Sequence, residues 1–100
     1  MFLDKYLNKI YLGMLYEKYE EWYLEQLDEN KFNDIYNLFK KYKFYFIEDI
    51  IINYLELFQC DKDIVENGIL RLKDKLGNNF VWEISNNLLY IDEIMEEDLE

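Results

Sequence analysis

Apolar side chains in the first quarter of the chain recur at the spacing of a helix. Between residues 2 and 28 they form two series with steps of three or four positions, one at Leu3, Leu7, Ile10 and Met14, and the other at Leu12, Leu15 or Tyr16, Tyr19, Tyr23 and Leu27. This spacing gives a helix a wide apolar stripe that faces a core. The pattern predicts one long helix or two helices separated near Gly13, and the polar residues 28–30 end this segment.

Helical spacing continues through the middle of the chain. Asn33 is positioned to cap a second helix that runs from residue 34 to about residue 42. Residues 44–58 follow as a compact aromatic turn that becomes a third helix. The three isoleucines at 50–52 would also suit a strand, but polar residues on both sides interrupt the alternation of a half-buried strand. A helix is therefore the favoured interpretation.

Three further elements complete the predicted structure. Asp61 is positioned to cap a fourth helix, which ends where Gly77 supplies a left-handed residue. A fifth helix spans residues 80–90, and Asp92 caps a short acidic turn that ends at Leu99. The chain has no proline and only three glycines, so few residues interrupt these helices.

The second half of the chain repeats itself, with residue n matching residue n+34. Identical pairs occur at Ile35/Ile69, Leu38/Leu72, Lys41/Lys75, Phe46/Phe80, Ile50/Ile84, Asn53/Asn87 and Leu55/Leu89. A period of this length is typical of stacked helix pairs. We therefore predict an all-α fold, a compact helical bundle in which a long N-terminal helix precedes two stacked helix-turn-helix repeats of about 34 residues each.

This prediction divides one domain, residues 1–100, into four parts. Residues 1–30 form the aromatic N-terminal helix, and residues 34–67 form the first repeat. Residues 68–91 form a second, truncated repeat, and residues 92–100 form an acidic tail.

Residues 50–91 resemble the helical repeat of the mitochondrial transcription termination factor family. Residues 54–58 correspond to an apolar patch that ends one helix, Asp61 to the cap of the next, and Leu76 with Gly77 to its leucine-glycine end. The proline of the family repeat and its positively charged path for nucleic acid have no counterpart in this chain. The resemblance implies helical-repeat packing and carries no function over.

The net charge of −11 is concentrated in the second half of the chain. Residues 1–43 hold seven lysines and eight acidic residues, whereas residues 44–100 hold four basic and fourteen acidic residues. Such a field repels nucleic acid and anionic membranes and attracts basic protein surfaces. The alternative is that the acidity only keeps an aromatic-rich chain in solution.

The residues that usually carry enzyme chemistry are missing from the sequence. The chain has no histidine, no glycine-rich phosphate loop and no serine or cysteine nucleophile motif. Carboxylate pairs such as Asp61 and Asp63 lack the glycine and the terminal glutamate of a calcium loop. We therefore predict a protein without enzymatic activity, cofactor or metal.

Cys60 is the one cysteine, which excludes an internal disulfide and favours a reducing cytoplasm. We interpret it as a small apolar residue at a helix junction rather than as a redox-sensitive thiol. Residues 1–7 are apolar in part but are interrupted by charges, and the sequence has no uninterrupted apolar run of membrane-spanning length. Neither secretion nor membrane insertion is expected.

The candidate binding residues are aromatic and acidic. Tyrosines and tryptophans surround more of the N-terminal helix than one buried stripe can hide, so Tyr16, Tyr19 and Trp22 are candidate anchors for a partner. The alternative is that tyrosine replaces phenylalanine at the edge of the core. In the tail, carboxylates three and four apart would form one negative ridge that imitates phosphates. The candidate carboxylates are Glu48, Asp49, Glu56, Glu83, Asp92, Glu93, Glu96 and Glu97.

These features favour a small acidic binding module that occupies a basic surface of a partner protein. Inhibitors, immunity proteins, antitoxins and phage anti-defence proteins act in this way, and the partner could be an enzyme that processes nucleic acid. Two alternatives remain open. One is a structural or scaffolding module that forms a homodimer through its aromatic N-terminal helix, and the other is a nucleic-acid-binding helical repeat.

Overall fold

A computed structural model describes residues 1–99 of the chain, with side chains up to residue 95. The α-helices are α1 (Lys9–Lys18), α2 (Glu21–Glu25), α3 (Glu29–Lys41), α4 (Ile47–Asn53), α5 (Lys62–Leu76) and α6 (Phe80–Asn86). The 3-10 helices are η1 (Phe2–Lys5), η2 (Leu55–Gln59) and η3 (Leu88–Leu99). The described residues contain no strand, which confirms the all-α class.

The predicted long N-terminal helix is wrong, and so is a break near Gly13. Asn8 caps α1 by accepting a hydrogen bond from the backbone N–H of Tyr11 at 3.1 Å. The helix ends where Tyr19 and Glu20 adopt extended backbone angles. Gly13 lies inside α1 and is exposed. The breaks at residues 6–8 and 19–20 allow the short helices to bury apolar side chains against the rest of the molecule. One straight helix of this length would extend away from it.

The start of α3 also differs from the prediction. Residues 28–30 begin this helix instead of ending the previous one, because the Asp28 carboxylate accepts a hydrogen bond from the N–H of Lys31 at 3.0 Å. The amide of Gln59 binds both the N–H and the carbonyl of Asp28, at 2.8 and 3.2 Å. Asn33 is not a cap. It lies within α3 and accepts a hydrogen bond from the Tyr6 hydroxyl at 2.8 Å.

The later elements follow the predicted order with shorter helices. The isoleucines of residues 50–52 lie in α4, as predicted, but α4 ends at Asn53 and η2 follows. The bounds of α5 are confirmed, and Gly77 has a φ of 84°, a conformation that favours glycine. Asp61 precedes α5 without making a side-chain capping bond. The last predicted helix stops at residue 86, and Asp92 lies inside η3 instead of capping a turn.

The element order recurs at the predicted distance. Adding 34 to the bounds of α3, α4 and η2 gives 63–75, 81–87 and 89–93, which agree within one position with α5, α6 and the start of η3. In addition, α3 packs against η2, and α5 packs against η3. That these two units form stacked copies of one structural repeat stays a prediction.

The core is a single cluster of buried apolar side chains crossed by a row of aromatic rings. Phe32 contacts Phe58 at a ring distance of 4.9 Å, and Phe58 contacts Phe39 at 5.7 Å. The row continues from Phe39 to Phe44 at 4.9 Å and from Phe44 to Phe80 at 6.0 Å. It therefore joins α3, η2, the α3–α4 connection and α6 into one core.

A close approach between two elements occurs where η3 crosses α5 at Gly68. A Cβ atom on Gly68 would lie 2.6 Å from Cγ2 and 2.8 Å from Cα of Ile94. Gly13 is the opposite case, because a Cβ atom there would meet nothing within 4 Å. The two glycines therefore provide a matched pair of positions, one in a packed interface and one in open space.

Gly68→Ala should lower the free energy of unfolding by about 1–3 kcal/mol, because the added methyl group forces η3 away from α5. Gly13→Ala should raise it by roughly 0.5–1 kcal/mol, because alanine favours the helix and has room. Urea denaturation followed by circular dichroism measures both. Equal effects of the two substitutions would contradict the close packing of Gly68 against Ile94.

A polar cluster joins the C-terminal end of α3 to α5. The carboxylate of Glu66 accepts hydrogen bonds from the Tyr42 hydroxyl at 2.5 Å and from the Lys41 ammonium at 2.9 Å. These two bonds, first that of Tyr42 and then that of Lys41, hold the pKa of Glu66 below its usual value. The charged form of Glu66 is therefore the one that the fold stabilises.

Because the folded state lowers the pKa of Glu66, its stabilising effect should be complete at neutral pH and should disappear as the pH falls through that lowered pKa. Glu66→Gln should therefore destabilise the protein at pH 7 and have a smaller effect below about pH 4. Denaturation curves across this pH range test the prediction. Asp74→Asn, at an exposed position on the same helix, is the control, and the same pH dependence in both variants would contradict it.

Candidate functional site

Two of the three predicted aromatic anchors lie in one group of rings. Tyr19 stacks on Tyr23 with a centroid distance of 5.4 Å and an interplanar angle of 17°. Trp22 meets the same Tyr23 edge-on at 6.2 Å. The Trp22 side chain is 56 % exposed, and its indole N–H donates to the carboxylate of Glu20. These contacts hold an exposed tryptophan in a defined orientation.

Tyr16, the third predicted anchor, lies elsewhere. It belongs to the exposed side of α1, with 46 % of its surface accessible. Its hydroxyl lies 3.7 Å from the sulfur of Met1, and no ring contact of Tyr16 occurs in the described part of the chain. The structure therefore separates the predicted anchors into two sets.

Of the predicted carboxylates, Glu56 lies near Tyr19 and Tyr54, and Asp92 lies near Tyr54. Burial, and then the nearby Glu56 carboxylate, raise the pKa of the Tyr19 phenol. Burial, the adjacent Asp92 carboxylate and then Glu56 raise the pKa of Tyr54. Both phenols are thus neutral at physiological pH and keep their hydroxyl protons. Tyr54 donates to the carbonyl oxygen of Leu88 at 3.4 Å.

We refer to these residues together as the aromatic-acidic strip. Its members come from the α1–α2 connection, α2, the residues around η2, and η3, and they are Tyr19, Glu20, Trp22, Tyr23, Tyr54, Glu56 and Asp92. Residues as far apart in sequence as Tyr19 and Asp92 therefore contribute to one surface.

The carboxylates of the strip keep their negative charge unpaired within the described residues. The ion pairs of that part of the chain involve other acidic residues, namely Asp4, Glu29, Glu66 and Glu93. The ammonium of Lys18 lies 5.9 Å from the Tyr19 ring centroid. It donates to the carbonyl oxygen of Ile52 at 3.0 Å, however, which joins α1 to the end of α4. The strip therefore combines aromatic surface with a local excess of negative charge.

Three predicted carboxylates have a local structural explanation. Glu48 and Asp49 occupy the first turn of α4, and Glu83 occupies the first turn of α6. A negative charge at this end of a helix is stabilised by the aligned backbone dipoles. Of the three, Asp49 is exposed, while the other two are half-buried. Stabilisation of a helix start therefore accounts for these three carboxylates without a partner.

The predicted acidic ridge of the tail stays a prediction, because Asp92 and Glu93 are the only two of its members whose side chains the structure describes. Glu93 pairs with Lys75 at 2.9 Å, so its charge is balanced within the chain. The segment is a 3-10 helix with three residues per turn, which places Asp92 and Glu93 on different rows. Ile94, which follows Glu93, is buried. The side chains of Glu96 and Glu97 lie outside the described residues.

Sequence reasoning missed a second exposed aromatic surface. Tyr45 and Trp82 are 66 % and 60 % exposed and line a shallow cleft of about 400 Å³. The Tyr45 hydroxyl donates to the Ser85 hydroxyl at 2.8 Å, and Lys43 beside it has a positive φ of 67°. The sequence position of Trp82 could have indicated this surface. Trp82 lies between Phe80 and Ile84, which are buried on one side of α6, and it lies on the other side.

Metal and thiol chemistry find no support in the described part of the chain. No group of three or more potential ligands there could hold a metal ion. Cys60 is half-buried, and burial, followed by the charges of Asp61 and Glu56, raises the pKa of its thiol. A raised pKa lowers the fraction of reactive thiolate. Within the same residues, none of the helices has both the length and the apolar character of a membrane span.

No protein-family model, no curated protein and no solved structure matches the chain. The resemblance of residues 50–91 to the mitochondrial transcription termination factor repeat therefore stays a resemblance of sequence pattern.

Because its pKa is raised, Cys60 should react with iodoacetamide several-fold more slowly at pH 8 than a small-molecule thiol does. Glu56→Gln removes one of the charges that raise the pKa and should increase the rate, whereas Glu83→Gln should leave it unchanged. Mass spectrometry of timed samples measures the alkylation. A rate equal to that of the urea-unfolded chain would contradict the assigned environment of Cys60.

Proposed function

We propose that this chain is a non-catalytic binding module that places its aromatic-acidic strip against a basic surface of a partner protein in the cytoplasm. One observation carries the proposal. Glu56, in η2, lies near Tyr19, whose ring stacks on Tyr23 beside the exposed Trp22, and Glu56 and Asp92 of η3 both lie near Tyr54.

The two kinds of side chain would act at different stages of binding. Unpaired carboxylates attract a basic surface over a distance of several ångströms and increase the rate of productive encounters. Tyrosine and tryptophan then provide large contact areas at a low cost in side-chain entropy. Trp22 is held by Tyr23 and Glu20, so binding would immobilise little that is free beforehand.

The charge of the strip indicates the class of partner. A protein that binds phosphate groups carries a basic surface, and the carboxylates of the strip would occupy it in place of nucleic acid. We therefore propose a partner that processes nucleic acid, and an action of the inhibitor, immunity-protein, antitoxin or anti-defence kind. Direct binding of nucleic acid by this chain is disfavoured by its net charge of −11.

Affinity capture from the native cell, with the tagged protein as bait, tests the proposal. Trp22→Ala should weaken retention of the partner at least tenfold, because exposed tryptophans at interface centres commonly contribute more than about 1.4 kcal/mol. Trp82→Ala removes the other tryptophan, which is similarly exposed, and should leave retention unchanged.

A second pair of variants separates local charge from net charge. Glu56→Gln with Asp92→Asn removes the charge of the strip, and Asp34→Asn with Asp74→Asn removes the same charge at exposed positions of α3 and α5. Only the first pair should weaken the complex and reduce its sensitivity to salt. A complex whose affinity does not change between low and high salt, or one lost through Trp82→Ala alone, would refute the proposed surface.

A further inference from the structure

The outward face of α1 is a separate exposed surface with mixed character. Ile10 is 74 % exposed and Tyr16 is 46 % exposed, and Lys9, Gly13 and Glu17 are exposed on the same side of the helix. These positions repeat at intervals of three and four residues, so they share one face. Leu15, fully buried, marks the opposite face.

The residues of this face are arranged symmetrically about Gly13. Lys9 lies four positions before the glycine, and Glu17 lies four positions after it. Ile10 and Tyr16 lie three positions before and three positions after. The basic Lys9 is therefore matched across Gly13 by the acidic Glu17, and the apolar Ile10 is matched by the aromatic ring of Tyr16.

From this arrangement we infer that the outward face of α1 binds a second copy of the same chain, with the two helices antiparallel and a two-fold axis passing near Gly13. In this geometry the Lys9 end of one helix meets the Glu17 end of the other, and the Ile10 and Tyr16 side chains of both subunits flank the crossing at Gly13. A two-fold interface requires a surface that is complementary to itself. A parallel arrangement would instead place Lys9 against Lys9 of the partner subunit, so the charges select the antiparallel one.

The glycine at the centre of this face, Gly13, also supports a dimer. A glycine in the middle of a helix is unfavourable relative to alanine. Nothing within the chain uses its small size, because a Cβ atom there would meet no other atom within 4 Å. At the centre of an antiparallel crossing, the missing side chain lets the two helix backbones approach closely. The dimer therefore explains a residue that the monomer does not.

Lys9 and Glu17 can reach each other only between subunits and not within one helix. Lys9 and Glu17 are two helical turns apart, which is about 12 Å along the axis, and neither forms an ion pair within the described residues. The contact surface of one ten-residue helix is smaller than the standard interface of about 1,600 Å². The dimer is consequently weak, with a dissociation constant of roughly 10–1,000 µM.

Sedimentation equilibrium of the full chain over a concentration series tests the inference through charge reversal. Lys9→Glu and Glu17→Lys should each weaken the dimer about tenfold, because each creates two repulsive pairs across the axis. The double variant should restore the dissociation constant to within about threefold of the original. Lys62→Glu and Asp74→Lys change the net charge by the same amounts on α5 and serve as controls.

Substitution of Gly13 provides an independent readout. Gly13→Ala should raise the thermal stability of the chain at low concentration and weaken the dimer at high concentration, a combination that a purely local helix effect does not produce. Gly13→Cys in a Cys60→Ser background should form a disulfide-linked dimer under mild oxidation. Asp63→Cys in the same background should not.

Three results would overturn the inference. They are a monomer at every concentration up to about 1 mM, a dimer that is insensitive to both charge reversals, and a double variant that stays as weak as the single ones. Circular dichroism checks that the variants are folded, which we expect because positions 9, 13 and 17 are exposed. None of these variants alters the aromatic-acidic strip, so the outcome is independent of the partner-capture experiment.

Discussion

The fold depends on the packing of aromatic rings that cross the core from α3 to α6. Successive rings in this row are 4.9–6.0 Å apart, within the range at which aromatic pairs attract each other. Each large ring removes more apolar surface from water than an aliphatic side chain does. Helices as short as the seven residues of α4 and α6 can therefore be held in place although neither would form alone in water.

The close contact of α5 with η3 complements this aromatic core. Gly68 allows Ile94 to approach the helix backbone, and Lys75 pairs with Glu93 nearby. This contact turns the C-terminal segment back onto the molecule and places Asp92 beside Tyr54. The acidic surface thus depends on an apolar contact, because the carboxylate reaches its position only when η3 is packed.

Two aromatic surfaces of the molecule differ in the charges around them. The aromatic-acidic strip has a charge of one sign and suits a partner of opposite charge. The outward face of α1 has both signs in a symmetric order and suits a copy of itself. The short helices keep these two surfaces apart. The helix breaks at Tyr19 and Glu20, so Tyr16 in α1 and Trp22 in α2 lie on different elements.

Helical periodicity along the chain determined the all-α class, the bounds of α5, the end of that helix at Gly77 and the recurrence of the element order in the second half. These features depend on neighbours in sequence, whose preferences act over one or two helical turns. Only the tertiary structure decided where the segment 2–28 breaks, because its short helices bury Leu15 and Leu24 in the common core, whereas the caps Asn8 and Asp28 act over three residues. It also decided which predicted site residues meet. Glu56 and Asp92 lie beside Tyr19 and Tyr54, whereas Glu93 is neutralised by Lys75 and Glu48 lies at a helix start. Such encounters between residues distant in sequence arise from burial of the whole core, and no local pattern encodes them.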